Sequence, residues 1–198
     1  MDPDKAASRA ALSAILRSTA AEDRAAWSAV IRADLLKSGF WKDSRTVMLF
    51  AAMKYEPDLL PLLELCEGRQ LYFPALENDR IVARMVQSAD ELELAQGGIR
   101  EPLPTRCQEL PAREIDLVLV PGLGFAADGT RLGRGRGQFD RFLAGLSAKA
   151  MRCGVCFGCQ VQPSLPFGPH DVRMDCILTE NGFSPLAHHR VRVMSAAP

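Results

Sequence analysis

Apolar residues recur along this chain in two rhythms, one with a helical period and one in short unbroken runs, and their alternation sets the expected fold. Residues 3–17 read as a helix, with Leu12, Ile15 and Leu16 on one stripe and Lys5, Arg9 and Arg17 outside it. Thr19 and Glu22 make a capping-box pattern that opens a second helix to about Lys37. Trp27, Val30, Ile31 and Leu35 lie on its buried side, and Gly39 is the expected stop. Thr46 to Met53 reads as a strand, and Glu56-Pro57-Asp58 leads into a short helix to about Cys66, capped by Asp58 with Pro61 in its first turn. Gln70 to Pro74 is a further strand, Glu77-Asn78-Asp79 a turn, and Ile81 to Val86 an edge strand. Gly97 to Pro102 reads as a loop, and Leu103 to Glu114 as a polar surface connection. Asp116 to Val120 is an apolar, β-branched run stopped by Pro121-Gly122, the pattern of a buried strand, and Gly154 to Phe157 is another. Strands alternate with helices and nothing repeats, which predicts a three-layer α/β/α fold around a mostly parallel sheet, in a single domain over residues 1–198.

Composition narrows the function classes. The chain has 198 residues, 47% apolar and 24% charged, enough to bury roughly 70% of its unfolded surface in one core. Lys and Arg together number 24, as do Asp and Glu, and this balance argues against general nucleic-acid binding. No apolar run approaches the ~18 residues of a membrane span, and the N-terminal stretch is polar and helical, without the apolar core of a signal peptide. A cytoplasmic monomer acting on small molecules, with no membrane partner, is the expectation.

Six cysteines add a question, because Cys153, Cys156 and Cys159 are spaced C-x-x-C-x-x-C. An iron–sulfur or zinc site needs a fourth ligand, and the bacterial ferredoxin spacing would put it at position 163, where Pro163 stands. Cys66, Cys107 and Cys176 are scattered. The same segment reads as a buried strand in which cysteine is a small core residue. A reduced core without disulfides is favoured, and a metal–thiolate protein stays open as the alternative.

The densest chemistry lies between Asp128 and Leu143. Asp128-Gly129 is a turn dipeptide, glycines follow at 133, 135 and 137 with arginines at 131, 134 and 136, and from Gln138 the apolar residues Phe139, Phe142, Leu143 and Leu146 return at helical spacing. Glycines let a backbone close around an anion, and the start of a helix adds partial positive charge. Arg131, Arg134, Arg136 and Arg141 stand against the single Asp140 in a chain of zero net charge. Guanidinium groups suit phosphate oxygens, and a carboxylate beside them suits magnesium. The loop lacks the Gly-Lys-Ser/Thr of a Walker motif and is not a Gly-x-Gly-x-x-Gly fingerprint. On these residues alone, a surface connector with solvated arginines is also open.

Pro121-Gly122-Leu123-Gly124-Phe125, Arg131-Leu132-Gly133-Arg134-Gly135-Arg136-Gly137 and Asp140 resemble the signature of the 5-formyltetrahydrofolate cyclo-ligase family, and Pro169-His170-Asp171, Met174-Asp175 and Ile177-Leu178-Thr179-Glu180 resemble its C-terminal segment. The resemblance implies an α/β/α enzyme that uses ATP and Mg2+ to close 5-formyltetrahydrofolate to 5,10-methenyltetrahydrofolate, releasing ADP and phosphate. It implies nucleotide contacts from Lys5, Arg9, Arg131, Leu132, Gly133, Arg134, Gly135, Arg136, Gly137 and Phe139, with Arg134, Arg136 and Asp140 in the catalytic step. Folate contacts are implied for Ala51, Glu56, Gly135, Gln138 and Phe139, and a metal site for Asp140 and Asp171. Without it, Lys5 and Arg9 would read as a solvated basic face and Glu56 as a loop residue. Four positions depart from the family: Gln138 and Phe139 replace two tyrosines, Ala75 replaces an arginine, and Gly168 replaces a glutamate. A non-catalytic folate- or nucleotide-binding protein on the same fold is the alternative. His188 and His189 read as exposed.

Overall fold

The computed structural model describes residues 3–66, 68–95 and 98–186. Helices α1 (Pro3–Ser18), α2 (Ala21–Lys37) and α3 (Gly39–Asp43) precede strand β1 (Thr46–Met48). After a 3-10 segment at Leu60–Leu65, strands β2 (Gln70–Glu77) and β3 (Arg80–Met85) form a hairpin, followed by β4 (Leu92–Leu94), β5 (Arg100–Pro102) and β6 (Glu109–Leu110). The second half carries β7 (Leu117–Val120), β8 (Gly124–Ala126), β9 (Arg131–Leu132), helix α4 (Gln138–Ala144), β10 (Met151–Val155), β11 (Val161–Gln162), β12 (Cys176–Thr179) and β13 (Gly182–Pro185).

Eight strands form the main sheet in the order β13-β12-β10-β7-β1-β2-β3-β6. Its centre, β12-β10-β7-β1-β2, is parallel throughout, and the flanking pairs are antiparallel. Alternate residues of each strand feed two separate cores, as the period of two requires. Val47, Leu71, Leu117, Leu119 and Val155 pack with Leu16, Ile31, Leu35 and Trp41 of the first three helices. Met48, Tyr72, Val118, Val120 and Ile177 pack on the other face with Phe142 and Leu143 of α4. This is the expected three-layer α/β/α arrangement around a mostly parallel sheet.

Several expected boundaries moved, each for a local reason. The Thr19–Glu22 capping box does not form: the Thr19 hydroxyl donates to the Ile15 carbonyl at the end of α1 (3.1 Å), and Ala20 caps α2 without a side-chain bond. Gly39 does not stop α2. Ser38 does, in extended conformation, and its hydroxyl accepts from Trp41 N (3.2 Å) to start α3. Ile15 and Val30 face solvent although the helical stripe placed them inside. The run from Thr46 keeps its ladder only to Met48, while Phe50–Met53 leaves the sheet to line a cleft. β3 is not an edge, because Ala83 and Arg84 pair with Leu110 and Glu109 of β6. The stretch read as a loop contains β5, paired to β4, and Gly97 itself lies outside the described residues, as do His188 and His189. Asp58 is not the cap of the 3-10 segment, whose N-cap is Leu59; the Asp58 carboxylate accepts from Leu60 N (3.0 Å) from one residue further out.

Candidate active site

The chain runs from β1 outward through β2 and β3 on one side, then returns to β7 and proceeds through β10 and β12 on the other. Between β1 and β7 the direction of winding reverses. At such a switch point the two loops leaving the carboxyl ends of the strands part, and a crevice opens. A cleft of about 990 Å3 lies there, with Phe50, Ala51 and Met53 following β1 and Pro121 and Gly122 following β7. Every residue singled out from the sequence for nucleotide, folate or metal contact lines it, from Lys5 and Arg9 of α1 through Ala51 and Glu56 to the continuous stretch Arg131–Asp140 and Asp171.

The glycine–arginine loop spans the segment between β9 and α4. Gly135 (φ 108°) and Gly137 (φ 63°) both hold left-handed backbone, which a side chain would strain. Gly137 caps α4, and the loop amides and Arg136 remain exposed at the rim. Tethers fix the loop at its sides. Arg9 Nε donates to the Gly133 carbonyl (2.9 Å), so α1 is fastened to the loop's first half. Arg134 Nη2 donates to Glu56 Oε1 (2.8 Å), and Glu56 Oε2 accepts from Met53 N (3.0 Å), which turns this buried carboxylate across the cleft toward the loop.

Arg131 differs from the other arginines because it is 95% buried. Its Nη2 donates to Asp140 Oδ1 (2.8 Å), its Nη1 to the Pro121 carbonyl (3.3 Å), and its guanidinium sits 5.7 Å from the centre of the Phe139 ring, while Nε has no partner among the described residues. A side chain at Gly133 would press on it, since a Cβ there would stand 2.8 Å from Nη1. Arg131 therefore orients Asp140 and Phe139 from beneath. Asp140 Oδ1 also accepts from Val172 N (3.4 Å), and Asp171 Oδ2 accepts from Gly168 N (2.7 Å) and pairs with Lys5. Two carboxylates from separate elements thus face the cleft, each held through one oxygen.

The departures at Ala75, Gly168 and Gln138 each have a place in this geometry. Ala75 is a buried residue of β2 in the cleft wall. A Cβ at Gly168 would stand 3.3 Å from Lys5 Nζ and 3.5 Å from Asp171 Oδ2, so a longer side chain there would meet both. Gln138 turns its amide to Asp79 Oδ1 (3.0 Å), at the tip of the β2–β3 hairpin. Leu76 and Ile81 of the hairpin wall and Asp79 at its turn were not singled out from the sequence; the β2–β3 register places them there. Glu101 of β5, in the segment that resembles the family's Gly-Ile-x-Glu-Pro stretch, lines the cleft as well and accepts from Leu76 N (3.0 Å). Past β10, buried Gln160 serves as a scaffold: it accepts from Phe157 N (2.8 Å) and donates to the carbonyls of Gly122 (2.9 Å) and Leu123 (3.1 Å).

The cysteine triplet does not converge. Cys153 belongs to the core under α2, and Cys156 to the core on the opposite face of the sheet. The neighbouring Cys176 thiol and burial push the Cys153 thiol well above its usual range, and burial does the same to Cys156, so both stay protonated. The metal–thiolate alternative fails on this geometry.

A cleft at the switch point of a mostly parallel sheet, edged by a glycine–arginine loop and two carboxylates, defines an α/β protein with its candidate ligand site at the carboxyl ends of β1 and β7. The chain belongs to the 5-formyltetrahydrofolate cyclo-ligase family, whose model matches residues 1–180. It is 33% identical over 149 residues to the 5-formyltetrahydrofolate cyclo-ligase of Mycolicibacterium smegmatis, covering 72% of this chain and 77% of that one. It is 26% identical over 192 residues to the mouse 5-formyltetrahydrofolate cyclo-ligase, covering 87% and 92%. Among solved structures, the 5,10-methenyltetrahydrofolate synthetase of Aquifex aeolicus superposes with a TM-score of 0.83 at 29% identity, over 94% of both chains. The family supports the cyclo-ligase reaction in general. No described helix is long and apolar enough to cross a membrane.

Proposed function

We propose that this chain catalyses the ATP- and Mg2+-dependent cyclisation of 5-formyltetrahydrofolate to 5,10-methenyltetrahydrofolate, with release of ADP and phosphate. The observation that carries the reading is the convergence, in one cleft, of the loop Arg131–Gly137 with Asp140, Asp171, Lys5, Arg9 and Glu56, drawn from distant parts of the chain.

The formyl oxygen is a poor leaving group, so its conversion to a phosphate ester makes ring closure feasible. The oxygen attacks the γ-phosphorus, the bond to ADP breaks, and an imidate phosphate results. N10 then attacks the formyl carbon, the phosphate departs with the former formyl oxygen, and N10 loses its proton to solvent. No protein nucleophile enters this sequence. The protein's work is alignment and charge neutralisation at the transferring group. Exposed Arg134 and Arg136 and the loop amides face the position of the phosphates, Lys5 and Arg9 reach the nucleotide from α1, and Phe139 offers a ring face. Glu56, with Ala51 beside it, suits the hydrogen-bond donors of a pterin.

Asp140 and Asp171 fit a magnesium ion, because both are carboxylates, the Val172 N bond to Asp140 brings their two segments together in the cleft, and the bonds found for them use one oxygen each. Mg2+ needs few protein ligands when phosphates complete its shell, and when bound it withdraws charge from the transferring phosphoryl group. The test is absorbance of methenyltetrahydrofolate formed from 5-formyltetrahydrofolate and Mg-ATP, with ADP followed in parallel. Equal amounts of product and ADP support the reading. Tight binding of either substrate without product would favour a non-catalytic binding protein.

A further inference from the structure

Asn78 and Asp79 form the two-residue turn between β2 and β3, flanked by the pair Glu77↔Arg80, with φ values of 47° and 61°. Two left-handed residues in a two-residue hairpin loop define a type I′ turn, and glycine is the residue that favours its second position. Aspartate there carries a conformational cost that glycine would avoid. Its side chain accounts for its presence. Asp79 Oδ1 accepts from Gln138 Nε2 (3.0 Å) and Oδ2 from Arg141 Nη2 (3.0 Å), while its carbonyl also accepts from Arg141 Nη2 (3.0 Å). Arg141 Nη1 in turn donates to the Arg136 carbonyl (3.1 Å).

These bonds join the two walls of the cleft. Leu76 and Ile81 lie in the hairpin that carries Asp79, and Gly135 to Phe139 form the wall across from it. The first half of the loop is fastened elsewhere, through Arg9 to Gly133 and Glu56 to Arg134. We propose that Asp79 is a positioning residue that sets the second half of the glycine–arginine loop, residues 136–138, against the hairpin wall, and that Gln138 serves this tie. The proposal rests on the functional reading above for its consequence in nucleotide binding, and on geometry alone for the tie itself. Asp79 and Arg141 are largely exposed, so each bond is individually weak; their convergence on both oxygens of one carboxylate makes the tie.

Glycine at 79 removes both side-chain bonds while improving the turn, so the test variant is Asp79→Gly, with Asp79→Asn as the conservative partner that keeps an acceptor for Gln138. Amide hydrogen exchange of residues 134–141 in Asp79→Gly is expected to quicken by about threefold to tenfold, the combined worth of two exposed polar ties, while Tm stays equal or rises. The KM for Mg-ATP is expected to rise by about the same factor with kcat within about twofold, and Asp79→Asn to fall between the two proteins. Adding Gln138→Leu to Asp79→Gly is expected to bring no further quickening of exchange over residues 134–141. Unchanged exchange over 134–141, or a fall in Tm with exchange rising evenly across the sheet, would overturn the proposal. If the unaltered protein binds no ATP, the functional reading fails while the exchange contrast still decides the tie.

Discussion

Asp140 concentrates the account at the scale of single residues. Its Oδ1 is committed to Arg131 and Val172 N, so an isosteric amide can keep the packing and still lose the charge. Asp140→Asn is expected to lower the rate of ADP formation by about a hundredfold or more, and to lower Tm as well, because buried Arg131 loses its counter-charge. Turnover at the parent's rate would remove Asp140 from the metal site. The arginines and glycines of this region were legible because they are consecutive: their spacing alone presents charge and backbone together. The roles they divide among themselves were not legible. Burial separates Arg131, which sits beneath and holds Asp140, from Arg134 and Arg136, which remain exposed, and nothing in the alternation of Arg and Gly distinguishes them. Asp79 was visible only as a turn residue, because its partners Gln138 and Arg141 lie some sixty positions away along the chain.

Among the elements, the packing of β8 against β10 sets a tight requirement. The Phe125 ring is fully buried between Gly122 and Gly154, and a Cβ at Gly154 would stand 2.5 Å from Phe125 Cε1. Gly154→Ala is therefore expected to destabilise by about 1–3 kcal/mol through overpacking, measured by urea unfolding. A second requirement joins β1 to β7 at their starts, where Asp116 Oδ2 accepts from Arg45 N (2.9 Å) and Thr46 N (3.0 Å). Burial alone would raise the Asp116 carboxyl, but the hydrogen bonds from Thr46 and Arg45 outweigh it and hold it below its ordinary 3.8. A depressed folded value means the contribution is complete above that pH and is lost as pH falls through the lower folded value. The Tm gap between the parent and Asp116→Asn is expected to be present at neutral pH and to close on acidification below about pH 4. A gap that persists unchanged into acid would contradict it. The central strands and the first two helices were legible from their apolar periods. The short strands β8, β9 and β11 were not, since two or three residues carry no readable period, and they pair into a small sheet of their own.

For the whole molecule, the sheet order places the carboxyl ends of β1 and β7 beneath one cleft, and the chain delivers α1, the hairpin wall, the glycine–arginine loop and the Asp171 segment to its edges. That order follows from pairings between strands far apart in sequence, which periodicity cannot show; the fold class was legible, the register was not. The central claim is that this assembly phosphorylates the formyl oxygen of its substrate. The most direct measurement uses 5-formyltetrahydrofolate carrying 18O in the formyl group, Mg-ATP and the purified protein, with mass analysis of the phosphate released. One labelled oxygen in each phosphate, in step with methenyltetrahydrofolate formed, is the predicted result. Phosphate without label, or phosphate released at the same rate in the absence of the folate, would contradict it.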